Sequence, residues 1–106
     1  MCGITGFQGQ FDEKLLSVMA KQMVHRGPDG QGKVFFKGAS DFTGLAHARL
    51  SIIDFSDAGH QPMSVECDRC QKNDVKPEQK LWLTYNGELY NYKKLKAELS
   101  ARGHSF

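Results

Sequence analysis

The second residue of the chain is a cysteine, in the run Met1-Cys2-Gly3-Ile4-Thr5-Gly6-Phe7. A small residue behind the initiator methionine lets an aminopeptidase remove Met1. Cys2 would then carry a thiol and a free α-amine together. A thiol with an ordinary pKa of roughly 8.5 sits beside an amine of roughly 7.7–8.0. The amine can take the thiol's proton, directly or through a water, at nearly neutral pH. Amine-activated nucleophiles of this kind are a recurring route to covalent catalysis. The plainer reading is a small buried residue at the start of an edge strand, and the first seven residues alone leave both open. A second group with chemical capacity is the pair in Cys67-Asp68-Arg69-Cys70. A lone CxxC is half of a zinc site or a redox pair, but zinc takes four ligands and no second pair exists. His60 and His104 would complete a site only by coincidence of folding. The segment therefore reads as an exposed insertion, and no metal is expected.

The elements that must position Cys2 follow from hydrophobic spacing. Residues 2–9 read as a short strand with Ile4, Phe7 and then Phe11 as apolar anchors. Asp12 is a helix N-cap and Glu13 suits a first turn. Leu15, Leu16, Met19, Ala20, Met23 and Val24 recur at helical spacing, which predicts an amphipathic helix ending near His25. Gly27, Pro28, Gly30 and Gly32 forbid its continuation. Val34, Phe35 and Phe36 centre a second strand, and a third is expected over residues 42–53. On that third strand His47 and Arg49 share one face, and Ala46, Ala48 and Leu50 the other. Residues 54–62 read as a loop. Residues 63–66 and 80–85 read as the arms of a hairpin, with residues 67–79 as a polar exposed connection. Asn86-Gly87 ends the second arm in a dipeptide that favours positive φ. Asn91 opens a second helix through Tyr92, Leu95 and Leu99, and Gly103 is its C′ residue after Arg102. The order of strand, helix, strands and helix predicts an α+β arrangement, a mostly antiparallel sheet with helices on one face.

The 106 residues are 40% hydrophobic and 25% charged, with a formal net charge of +2. That fits one modest domain with one core. The charge is too small and too dispersed for nucleic acid or a membrane surface. No apolar run approaches the ~20 residues of a spanning helix, and the start lacks the features of a signal peptide. Three cysteines do not make a disulfide framework, so a reducing, cytoplasmic setting is expected.

Five strings in order carry a resemblance. They are Met1-Cys2-Gly3-Ile4, His25-Arg26-Gly27-Pro28-Asp29, His47 with Arg49-Leu50-Ser51-Ile52-Ile53-Asp54, Gly59-His60-Gln61-Pro62-Met63, and Tyr85-Asn86-Gly87-Glu88-Leu89-Tyr90-Asn91-Tyr92. Together they resemble the N-terminal glutaminase domain of glutamine-hydrolysing asparagine synthetases, which are class II glutamine amidotransferases. The resemblance implies the αββα sandwich of N-terminal nucleophile (Ntn) hydrolases, of which residues 1–106 would be the N-terminal part. It implies that Cys2 attacks the side-chain amide of L-glutamine with its own α-amine as base. The Asn86 side chain and the Gly87 N–H would form an oxyanion hole. Arg49 would fork onto the substrate's α-carboxylate, Leu50, Ser51, Ile52 and Ile53 would line the pocket, and Glu88 would help hold the substrate amine. His47 would orient its neighbours, with His25, His60 and His104 structural or exposed.

In that family the ammonia supplies ATP-dependent asparagine synthesis from aspartate. The ATP and Mg belong to a synthetase domain missing here, so no cofactor is expected on this part, and a homodimer is expected of the full-length family. The chain departs from the family in its Cys67–Cys70 loop and in stopping at Phe106, which reads as a truncation. Two alternatives stay open: another class II amidotransferase with a different ammonia acceptor, and a non-catalytic remnant or interaction module. Without the five strings, Arg49 reads as a surface ion-pair residue, Asn86-Gly87 as a hairpin turn and Glu88 as a solvated charge.

Overall fold

In a computed structural model of the protein, residues 1–52, 55–65, 67, 69–70 and 75–106 are described. The elements run β1 (Gly3–Gly9), α1 (Glu13–Lys21), β2 (Gly30–Lys37), β3 (Phe42–Arg49), β4 (Met63–Ser64), β5 (Trp82–Leu83) and α2 (Tyr92–Ala101). This is a mixed set of two helices and two sheets, as the α+β expectation requires. By its internal contacts the chain divides into two compact units. The first comprises Met1–Met63 and Leu83–Asn86, the second Ser64–Trp82 and Gly87–Phe106.

The first unit is built on an antiparallel sheet in the order β1-β3-β2. The register pairs Phe7 and Phe35 with Gly44, and Ile4 and Gly32 with His47. Directly paired residues share a face, so Phe7, Phe35, Gly44, Ala46 and Ala48 lie together. α1 packs across all three strands, and Leu16, fully buried, is the side chain it drives into this layer. The bare Cα of Gly44 makes the room: a Cβ there would lie 3.0 Å from Phe7 and 3.1 Å from Leu16. Phe7 meets Phe11 and Phe35 edge-on, and Phe35 stacks on Phe42. Asp12 caps α1 by accepting the Leu15 N–H at 2.9 Å. Lys33 on β2 reaches Glu13 at 2.8 Å and the Ser17 hydroxyl at 3.0 Å. Both ends of that ion pair are exposed, so its contribution is small.

α1 is shorter than its apolar spacing suggested. It stops at Lys21, and Val24–Arg26 forms a separate 3₁₀ turn because the chain must already bend toward Gly27-Pro28. β3 likewise ends at Arg49 instead of running to residue 53. The Ser51 N–H is taken by the Asp29 carboxylate, so the ladder cannot continue. Ile53 and Asp54 lie outside the described residues.

The face of the sheet opposite α1 carries His47 and Arg49, and glycine opposes each of them: Gly32 pairs with His47, Gly30 with Arg49. A Cβ on Gly32 would collide with the Gln61 carbonyl. The loop carrying Gly59-His60-Gln61-Pro62 thus lies against β2 at a position only glycine permits. The Gln61-Pro62 peptide is cis, and the Gln61 side chain accepts the Tyr85 N–H at 2.5 Å.

β4 and β5 pair in a two-stranded sheet, the predicted hairpin with shorter arms. Asn86-Gly87 does not take the positive φ its composition favours. Among the described residues φ is positive only at Gly9 and Gly103. In the second unit, α2 starts after Asn91, which makes no side-chain cap hydrogen bond. Among its described residues the only buried side chain is Cys67. No helix among the described residues is long and apolar enough to cross a membrane.

Candidate functional site

β1 and β3 are neighbours, so the start of one strand lies beside the end of the other: Gly3 pairs with Ala48. Cys2 lies one residue before Gly3 and Leu50 two residues past Ala48, and they meet. The Leu50 N–H donates to Cys2 Sγ at 3.4 Å, and the thiol points back at the Leu50 carbonyl at 3.7 Å. The Asn86 side-chain amide donates to the Cys2 carbonyl at 3.2 Å. Two segments far from it in sequence therefore converge on Cys2.

Arg49 stands at the last position of β3. Its Nη1 donates to the Ser56 carbonyl at 2.8 Å, which fixes the guanidinium over the loop after the strand. The turn out of β3 is held by Asp29. The Asp29 N–H donates to the Arg49 carbonyl at 3.0 Å, and its carboxylate accepts the Ser51 N–H at 2.8 Å. Asp29 had no assigned role in the sequence reading. Its signal was its place in the His25-to-Asp29 string, two residues past Gly27, where a Cβ would strike the backbone of Ala48 and Arg49. That string is thus a backing plate for residues 48–51.

His47 is buried on the sheet face beside this turn, and its Nε2 has no hydrogen-bond partner. Burial holds its pKa below the ordinary 6.5, and the charges of Arg49 and His60 push the same way. A backbone hydrogen bond with Tyr85 opposes them.

Of the expected site residues, the first unit brings Cys2, Leu50 and Asn86 into contact, with Arg49 and Ser51 on the same turn. Ile52 is in this unit and exposed. Gly87 and Glu88 belong to the second unit, and Ile53 lies outside the described residues.

The second unit holds a separate cluster. Cys67 and Cys70 are joined by a tight turn, the Cys70 N–H donating to the Cys67 carbonyl at 2.8 Å. His104 arrives by way of the end of α2. The His104 N–H reaches the Leu99 carbonyl at 3.1 Å and the Gly103 N–H the Ser100 carbonyl at 2.9 Å. This is a Schellman motif, closed by Gly103 at φ 85°. The reversal aims His104 Nδ1 at both thiols, 3.7 Å from Cys67 Sγ and 3.2 Å from Cys70 Sγ. The Ser105 N–H adds a 3.4 Å bond to Cys67 Sγ. That N–H is the main reason the Cys67 thiol is held down to about 5. Burial pushes the other way, and bonds with Cys70, the Ser105 hydroxyl and His104 add to the lowering. Cys70 is raised instead, first by its hydrogen bond with Cys67, then by burial and by the Cys67 charge. From sequence His104 reads as structural or exposed; the cap geometry makes it the third member of a cluster.

Comparison with known proteins matches the whole chain, residues 1–106, to a family described as a glutamine amidotransferase domain. The chain is 36% identical over 113 residues to the glutamine-hydrolyzing asparagine synthetase 1 of Bacillus subtilis, covering 100% of this chain and 15% of the relative. It is 39% identical over 110 residues to the glutamine-hydrolyzing asparagine synthetase B of Escherichia coli, covering 96% and 16%. It is also 36% identical over 114 residues to the amidase chry2 of Gibberella zeae, covering 94% and 15%. The chain therefore spans about a sixth of the length of these relatives. No solved structure gives a significant match.

Proposed function

Because the chain belongs to the family of glutamine amidotransferase domains, we propose that it hydrolyses the side-chain amide of glutamine, with Cys2 as the nucleophile. With Met1 attached the nitrogen of Cys2 is a peptide amide and no base. Met1 is exposed, open to the aminopeptidase that would free the amine. The amine takes the thiol proton, and the sulfur attacks the amide carbon. The C–N bond breaks, and the ammonium returns that proton to the leaving group as ammonia departs. Water then opens the thioester to give glutamate.

One observation carries this reading. The Leu50 N–H and the Asn86 amide both approach Cys2, from positions 48 and 84 residues away in sequence. Asn86 Nδ2 and the Gly87 N–H would be the donors for the oxyanion, the kind of fixed dipoles that stabilise charge developing in the transition state. Arg49 takes the α-carboxylate of glutamine, Leu50, Ser51, Ile52 and Ile53 line its path, and Glu88 meets its amine.

We read residues 1–106 as part of a class II domain of the Ntn-hydrolase type. The sheet under α1 is then one half of the αββα sandwich. Ile4, Val34, Phe36 and Leu45, on the face away from α1 and none of them buried, are the surface for a second sheet. In the complete protein the ammonia goes to asparagine synthesis, with ATP, Mg and aspartate held elsewhere. The amidase relative keeps a second acceptor open.

The test is glutamate release from glutamine, together with intact mass after exposure to a glutamine-like diazoketone. Loss of Met1 and one adduct on Cys2, absent in Cys2→Ser, is the expected outcome. A processed, folded protein that neither alkylates at Cys2 nor releases glutamate overturns the proposal.

A further inference from the structure

The proposed hydrolysis assigns no role to Cys67 and Cys70, and the second unit builds around them what a metal ion requires. We propose that Cys67 Sγ, Cys70 Sγ and His104 Nδ1 form a binding site for a thiolate-seeking divalent cation, zinc above all. The three ligand atoms lie within 4.8 Å of one another. Tetrahedral zinc holds sulfur at about 2.3 Å and nitrogen at about 2.0–2.1 Å, which places neighbouring S and N ligands roughly 3.5 Å apart. The observed separations, 3.7 and 3.2 Å, bracket that value. Two soft sulfurs and an imidazole select zinc over magnesium or calcium, which take oxygen.

The backbone is arranged for the same task. A tight turn sets the two cysteines on one side of a short segment, and the Schellman motif swings His104 to meet them. The Ser105 N–H to Cys67 Sγ bond is the outer-shell support that metal-bound sulfur usually has. On binding, any proton still on the sulfurs passes to solvent, and the imidazole coordinates through Nδ1 while keeping the proton on Nε2. Two thiolates neutralise a divalent ion, so no net charge is buried. The fourth position is left to water or an exchangeable ligand.

The second unit also has a physical need for such a site. Cys67 is its only buried side chain among the described residues. Small units without a hydrophobic core are commonly held by disulfides or metal. A metal here would tie Cys67 and Cys70 to the chain beyond α2.

The experiment is metal analysis of the protein purified under reducing conditions, followed by cobalt titration of the metal-stripped protein. About one zinc per chain is expected, with intense tetrahedral cobalt bands and sulfur-to-cobalt charge transfer in the near ultraviolet. Cys67→Ser, Cys70→Ser and His104→Gln should each cut affinity by at least the roughly 10–100-fold seen on losing an outer-shell partner. Cys2→Ser should retain the metal. If the substituted proteins fail to fold, the cobalt spectrum of the unsubstituted protein decides alone. Weak octahedral bands without charge transfer overturn the site. So does a Cys67–Cys70 disulfide under those conditions, seen as an intact mass lower by two hydrogens.

Discussion

At Cys2 the decisive neighbours are the Leu50 N–H and the Asn86 amide, and they differ in what they can do. Leu50 donates from the backbone, and only proline, which also restricts the chain, would remove that N–H. The Asn86 amide can be removed by substitution, so it gives the cleaner prediction. Asn86→Ala should lower glutamine hydrolysis by about 10²–10³-fold while leaving affinity for glutamine nearly unchanged, because an oxyanion donor acts in the transition state. Steady-state kinetics separate the two; a change confined to KM would make Asn86 a ground-state contact. His47 gives a pH prediction. Its folded pKa lies below the ordinary 6.5, so the unfolded chain binds more protons just below pH 6.5. Stability is then complete above about pH 6.5 and is lost as pH falls through the folded value. Denaturant midpoints at pH 7.5 and 5.5 should diverge more in the unsubstituted protein than in His47→Gln, which cannot titrate. Equal divergence in both would mean that other groups set the acid sensitivity.

Elements were legible where a local signal and a packing need agreed. Asp12 was readable as a cap because its carboxylate satisfies the Leu15 N–H, and Gly103 because a Schellman turn needs a left-handed residue. Ends were misjudged where a distant residue intervened. β3 reads as running to residue 53 on composition, but Asp29 captures the Ser51 N–H from 22 residues upstream. Asn86-Gly87 carries a turn dipeptide, yet Asn86 is held by its bond to Cys2, and tertiary contact overrides local preference. Two substitutions test this account. Leu16→Ala should destabilise the first unit by about 2–5 kcal/mol, as for other fully buried leucines. Asp12→Ala should cost about 1 kcal/mol, the usual cost of a lost N-cap. Chemical denaturation of both variants provides the check. A smaller loss for Leu16 than for Asp12 would contradict the core described beneath α1.

At the scale of the whole molecule, sequence strings disclosed the amidotransferase family because its residues fall in five short runs that can be read locally. The Cys67, Cys70 and His104 cluster was opaque for the opposite reason. Its third member lies 34 residues past Cys70, and only the reversal after α2 brings it back. The two units therefore hold themselves together differently. The first buries Leu16, Ala46, Ala48 and His47 within a three-stranded sheet, and its stability comes from packing. The second rests on turns, a cap and the sulfur–imidazole cluster. If a metal joins that cluster, its binding energy is folding energy for the second unit and nearly none for the first. Chelation should then speed amide exchange at Cys70, His104 and Ser105, whose N–H groups bond within or beside the cluster. Amides of β3 should keep their protection, since their partners are strands. Exchange measured with and without chelator tests the separation directly. Equal loss of protection in β3 would mean that the metal supports the whole chain, and no change at His104 and Ser105 would mean that the turns alone hold the second unit.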